Sequence, residues 1–199
     1  VFPAWETGPG SEGTTGGRIF SGRLNILLDL AIPERKPPRI IVAPVQAVLQ
    51  SAPPAELLWG NLLEIRPGKP LPIDKLAETL VAHEFVRVPQ VEAPGEFSVR
   101  GGIVDVFAHS DERPWRIVYD GDDVETVRPF DPATQQSARA EREVALGLVK
   151  KSQFVLAPGK GATILNYLGE TDAILVREES EVDERARRYL GTFQGMGLQ

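Results

Sequence analysis

Asp120-Gly121 constrains this chain more than any other pair of residues. It follows Trp115-Arg-Ile-Val-Tyr119, which alternates apolar with polar positions, and precedes an acidic run from Asp123 to Val127. Asp-Gly readily takes the backbone angles of a two-residue hairpin turn, and a period of two gives each strand one face for a core. Phe97-Ser-Val-Arg100 alternates in the same way and is followed by Gly101-Gly102 and a strand pattern ending at Phe107. Residues Phe97 to Phe130 therefore read as an antiparallel meander, which the chain leaves by a turn at Phe130-Asp-Pro-Ala-Thr134. The paired glycines after Arg100 read as a bulge, or as a place where backbone approaches another chain closely.

Outside this block the signals are helical or punctuating. Phe2 to Gly17 is rich in Gly, Pro, Ser and Thr and reads as loop. Leu24, Leu27, Leu28 and Ala31 recur at helical spacing, so Ile19 to Leu30 is expected to be a helix, ended by Pro33, Pro37 and Pro38. Arg39-Ile-Ile-Val-Ala-Pro-Val45 is a continuous β-branched run and fits a buried parallel strand. A short helix is expected after Pro44. Ser51-Ala-Pro-Pro54 is the first boundary. A short helix follows, then a strand over Leu62 to Ile65. A longer helix is expected over Leu71 to Phe85, starting at Pro72 and Asp74, with Leu76, Leu80 and Val81 as its apolar stripe. Val86 to Val91 is extended, and Pro89 places it at a sheet edge. Beyond Ser137, Asp172 to Glu178 reads as a second buried strand and Glu181 to Leu190 as a charged helix. The order is α/β, then α+β, then α/β, with the middle block inserted between two halves of one domain.

Composition narrows the chemistry. The 199 residues include no cysteine and two histidines, His83 and His109, which excludes disulfides and thiolate metal sites. The net charge of -6 opposes a phosphate-binding surface, since nucleic-acid binders usually carry a basic surplus. No apolar run is long enough for a membrane span, and no leader opens the chain, so a cytoplasmic protein is expected. Val1-Phe2-Pro3 reads like sequence from within a longer protein.

Several motifs resolve to bland readings. Ala157-Pro-Gly-Lys-Gly-Ala-Thr163 has a phosphate-loop flavour, but Phe154 occupies the first glycine position and Gly161 the hydroxyl position, so it reads as a surface loop. No DEAD-like acidic motif is present. Asp120, Asp122, Asp123 and Glu125 fit a turn and a solvated edge better than a hard-metal site. Ser98, Ser110 and Ser137 have no histidine at a spacing that would make a triad. Arg87, Arg100 and Phe107 remain. An arginine beside a glycine pair and near an aromatic residue suits a protein interface, where these types act as anchors.

The same residues carry a resemblance. Gly95-Glu-Phe-Ser-Val-Arg-Gly-Gly-Ile-Val-Asp-Val-Phe107, the Asp-Asp-Val-Glu run ending at Glu125, and Phe130-Asp-Pro-Ala-Thr-Gln-Gln-Ser137 resemble the UvrB-like module of bacterial nucleotide-excision repair. Pro3-Ala-Trp-Glu-Thr-Gly-Pro9 makes the chain more similar to the N-terminal form of that module in transcription-repair coupling factors (Mfd) than to UvrB, whose tyrosine-rich hairpin has no counterpart here. The resemblance implies degenerate RecA/helicase-like domain halves flanking an inserted α+β UvrA-interaction domain. The first half would be 1–50, the insertion 51–137 and the completing half 138–199. It implies UvrA as the partner, with the motif arginines carried over to Arg87 and Arg100 and with Phe107 supporting them. UvrB has a further arginine where this chain has Ser98. It implies no cofactor for this stretch. ATP and magnesium would serve the motor, and RNA polymerase and DNA would bind through other domains of the full-length protein. The expected role is a non-enzymatic adaptor of transcription-coupled nucleotide-excision repair. The alternative is a piece of a UvrB-type repair helicase with ATP- and DNA-dependent activity. A salt-sensitive DNA-binding module is a third reading, which the acidic balance opposes.

Overall fold

Phe20, Leu24, Leu27 and Leu28 repeat at three- and four-residue intervals, and all are fully buried along helix α1, Gly17–Ala31. The computed structural model describes residues 1–5, 17–32, 35, 37–154 and 161–194. The remainder of the glycine-rich opening, including Glu6 to Pro9, and most of the phosphate-loop-like segment lie outside these residues. Helices α2 (Val45–Leu49) and α3 (Ala55–Gly60) follow, and Pro44 directly precedes α2. The chain divides into one compact unit over 60–150 and another built from 1–59 and 151–199.

The unit over 60–150 opens with β1 (Leu62–Ile65) and helix α4 (Ile73–Ala82). Five strands then lie side by side in sequence order: β2 (Val86–Arg87), β3 (Glu96–Arg100), β4 (Ile103–Phe107), β5 (Trp115–Asp120) and β6 (Asp123–Pro129). β2 pairs parallel to β3, and every later neighbour is antiparallel. A second, two-stranded sheet joins β1 to β7 (Val144–Gly147). This return is why the compact unit begins and ends later than the 51–137 segment bounded by its prolines and its terminal turn. Ser51 to Pro54 instead belongs with the other unit, where Ala52 bridges Ala162 and the Tyr167 hydroxyl donates to the Pro53 carbonyl. The chain is thus of mixed α/β class with largely antiparallel sheets.

The core of the 60–150 unit gathers Leu76 and Leu80 of α4, Phe85, and Phe97, Val104, Val106, Ile117 and Val127 of the sheet. Val81, expected on the helix stripe, is 59% exposed; Ile73 and Ala77 pack against the core with Leu76 and Leu80. Two positive-φ glycines close hairpins. Gly121 has φ of 62° between the paired Asp120 and Asp123. Gly101 has φ of 57° between the paired Arg100 and Ile103, so the double glycine is a hairpin turn and not a bulge. A glycine at the first central position is what such a two-residue turn favours.

The other unit departs from the strand expectation. Neither Arg39 to Ala43 nor Asp172 to Val176 is a strand, and Ile40, Ile174 and Leu175 are 83%, 65% and 96% exposed. A strand needs a neighbour to complete its hydrogen bonds. Among the described residues no ladder reaches either run. Each leads into a helix, α2 in one case and α5 (Glu179–Gln194) in the other, and these two helices pack together. No helix among the described residues is long and apolar enough to cross a membrane.

Candidate partner-binding surface

Cross-strand register sets Ser98, Asp105, Arg116 and Arg128 in one row across β3, β4, β5 and β6. The neighbouring row, Val99, Val104, Ile117 and Val127, faces the core. Since successive side chains alternate between faces, the first row lies on the face away from α4, and Arg100 lies there too, two residues beyond Ser98.

Asp105 is the centre of that face. It is fully buried, and buried carboxylates require charged or hydrogen-bonding partners. Arg116 grips it with two parallel bonds, Nε to Oδ1 at 2.7 Å and Nη2 to Oδ2 at 2.9 Å. This fork geometry is the strong arginine–carboxylate form. Arg100 Nη2 donates to Oδ2 at 2.6 Å from the hairpin side. The two arginines differ in access: the Arg116 side chain is 17% exposed and the Arg100 side chain 49%. The bond to Asp105 raises the Arg116 pKa above arginine's usual value, against an opposing effect of burial.

Arg116 is itself held from the far side. Its Nη1 donates to the Gln135 carbonyl at 3.1 Å and to Ser137 Oγ at 3.3 Å, and its guanidinium lies 4.5 Å from the centre of the Phe130 ring. These contacts all come from the 130–137 turn. Asp131 shapes that turn by accepting from the amides of Ala133 and Thr134, which hold its carboxyl below the usual carboxylate range. The Phe-Asp-Pro-Ala-Thr-Gln-Gln-Ser motif therefore acts as a bracket behind Arg116.

The three residues singled out in the sequence separate. Arg100 and Phe107 share the polar face. Phe107 is 7% exposed and packs with Val91 and Phe130 in a small apolar cluster on that same face. Arg87 aligns with Phe97 on the edge strand β2 and lies exposed on the opposite face. Ser98 stands directly across from Asp105, and its buried hydroxyl has no hydrogen-bond partner. Asp105 and Arg116 were not picked out as site residues. A usable signal was present: an acid in the middle of the apolar run Ile103-Val-Asp-Val-Phe107 must be buried with a partner or break the strand. Among the described residues no group of acids and histidines is arranged to hold a metal, and the acidic hairpin at Asp120 to Asp123 forms none.

Known proteins resemble this part of the chain. The family model described as "UvrB interaction domain" matches residues 63–150, nearly the whole compact unit. The chain is also similar to transcription-repair-coupling factors. It is 36% identical to that of Bacillus subtilis over 65% of its own length, 33% identical to that of Haemophilus influenzae over 69%, and 29% identical to that of Escherichia coli over 75%. It spans only 11%, 12% and 13% of the length of these relatives.

Proposed function

We propose that this chain is a non-enzymatic adaptor that couples nucleotide-excision repair to transcription, and that its 60–150 unit binds UvrA. Arg100 is the central contact, and Arg87 adds a second cation from the sheet edge. Phe107 supports the contact by anchoring β4, the strand paired with that of Arg100, through its packing with Val91 and Phe130. The flanking residues form the degenerate helicase-like part. ATP, magnesium, DNA and RNA polymerase belong to other domains of a longer protein.

One observation carries the reading. Arg100 is half-exposed, although its guanidinium is bonded to a fully buried carboxylate, so a cation is offered in a fixed place. Interfaces favour such pre-ordered arginines, because less side-chain freedom is lost on docking. Arg100→Ala should weaken UvrA binding, measured by calorimetry, by ~30-fold or more, the effect of losing a hot-spot arginine worth ~2 kcal/mol. Arg116 still grips Asp105 in that variant, so the domain stays folded. Unchanged affinity removes Arg100 from the interface. If the wild-type chain fails to bind UvrA, the adaptor reading falls, and magnesium-dependent ATP turnover by the chain would replace it with a repair-helicase reading.

A further inference from the structure

The acid at the centre of the polar face has no role so far beyond its own burial. Two guanidiniums meet one carboxylate there. Arg116 alone satisfies both Asp105 oxygens, through Nε and Nη2. Arg100 adds a third bond to Oδ2 without being needed to neutralise the acid. The pair of arginines therefore keeps a net positive charge, and Arg100 is restrained without losing its attraction for an anion. A guanidinium has five N–H donors, of which one nitrogen of Arg100 is engaged, leaving the others for a partner carboxylate.

We propose that Asp105 is a positioning residue for the partner contact: it holds Arg100 in the orientation that meets an acidic surface, with Arg116 and the 130–137 turn holding Asp105. This rests on the reading of the unit as a UvrA-binding domain. Its content is distinct, because an acid beneath a cationic interface would ordinarily be expected to weaken attraction to an acidic partner. Here it strengthens binding by ordering Arg100. The order of support runs from Asp131 and Gln135 in the turn, through Arg116, to Asp105 and then Arg100.

A double-mutant cycle on the whole chain tests this. UvrA affinity is measured for wild type, Arg100→Ala, Asp105→Asn and the double variant, at a temperature where urea titration shows each to be folded. Arg100→Ala is expected to weaken binding ~30-fold and Asp105→Asn ~10-fold, as for hot-spot residues. In the Arg100→Ala background, Asp105→Asn should add less than about 2-fold, because its effect passes through Arg100. A full ~10-fold loss in both backgrounds assigns Asp105 to general stability and overturns the proposal, as does no loss in the wild-type background. If the wild-type chain does not bind UvrA, the adaptor reading fails as well, whereas an additive cycle with intact wild-type binding sinks only the role of Asp105. Side-chain NMR of the wild type supplies a check that needs no variant. The Arg100 guanidinium should show restricted rotation, and free rotation there overturns the proposal.

Discussion

Arg23 and Arg100 are both tied to buried polar groups, in different units and by opposite arrangements. Arg23 of α1 is itself fully buried and meets no carboxylate among the described residues. It donates to the Pro3 carbonyl at 2.8 Å, the Ser51 carbonyl at 3.1 Å and Gln50 Oε1 at 3.3 Å. Its guanidinium lies 4.2 Å from the Phe2 ring centre and 5.2 Å from that of Trp5. Dipoles and aromatic faces replace a counter-ion, and burial lowers its pKa to about 10 in spite of a raising effect from Tyr189. In the 60–150 unit it is the acid that is buried, and the cations reach the surface. The first arrangement fastens the Phe2 to Trp5 segment to α1 and the Gln50-Ser51 break, and no ligand can reach its cation. The second holds the sheet and displays a cation. A buried arginine is structural cement; a buried acid under an arginine can organise a contact.

This contrast can be broken by measurement. Arg23→Ala should have the largest effect, about 4 kcal/mol of unfolding free energy by urea titration, from the cavity and the loss of its bonds to the Pro3, Ser51 and Gln50 oxygens. Arg23→Met restores most of the volume and removes the uncompensated charge, so about half that loss is expected. Asp105→Ala should cost less than Arg23→Ala, roughly 3 kcal/mol, because half-exposed Arg100 can turn toward water and Arg116 keeps its bonds to the 130–137 turn. A larger loss for Asp105→Ala would reverse the contrast and make the carboxylate chiefly a stability element. Tyr119 gives the smallest effect and a pH signature. Its hydroxyl is buried with no hydrogen-bond partner, and burial pushes its pKa from 10.0 up to about 12. The neutral phenol is thus favoured in the folded state. Its contribution is complete below the unfolded value and is lost as pH rises through about 12. Stability followed from neutral pH into that range should fall less in Tyr119→Phe than in wild type.

The sequence was most legible where a signal was local. The Asp120-Gly121 turn, the alternation over Phe97 to Arg100 and Trp115 to Tyr119, and the period of α1 all appear as read. It was least legible where the outcome needed a partner. Ile40-Ile-Val42 and Ile174-Leu-Val176 carry as strong a β-branched signal as β4, yet only β4 has neighbours on both sides. Propensity reports that a residue fits a strand, and the ladder decides whether one exists. The same limit applied to the polar residues. Arg100 was recognisable from its motif, whereas Arg116 sat unremarked in an alternating strand. Its value came from Asp105, 11 residues away, and from Gln135, 19 residues away.

By itself, then, the amino-acid sequence determined the hairpins, the long helices and the kinship carried by Gly95 to Ser137, since these rest on turn chemistry, periodicity and motif. Only the tertiary structure decided that Asp105 would be buried between two arginines, that Arg87 and Arg100 would lie on opposite faces, and that two apolar runs would stay unpaired. Register and burial depend on which strands become neighbours. A one-residue change in register reverses every side chain on a strand, and no short stretch of sequence contains that information.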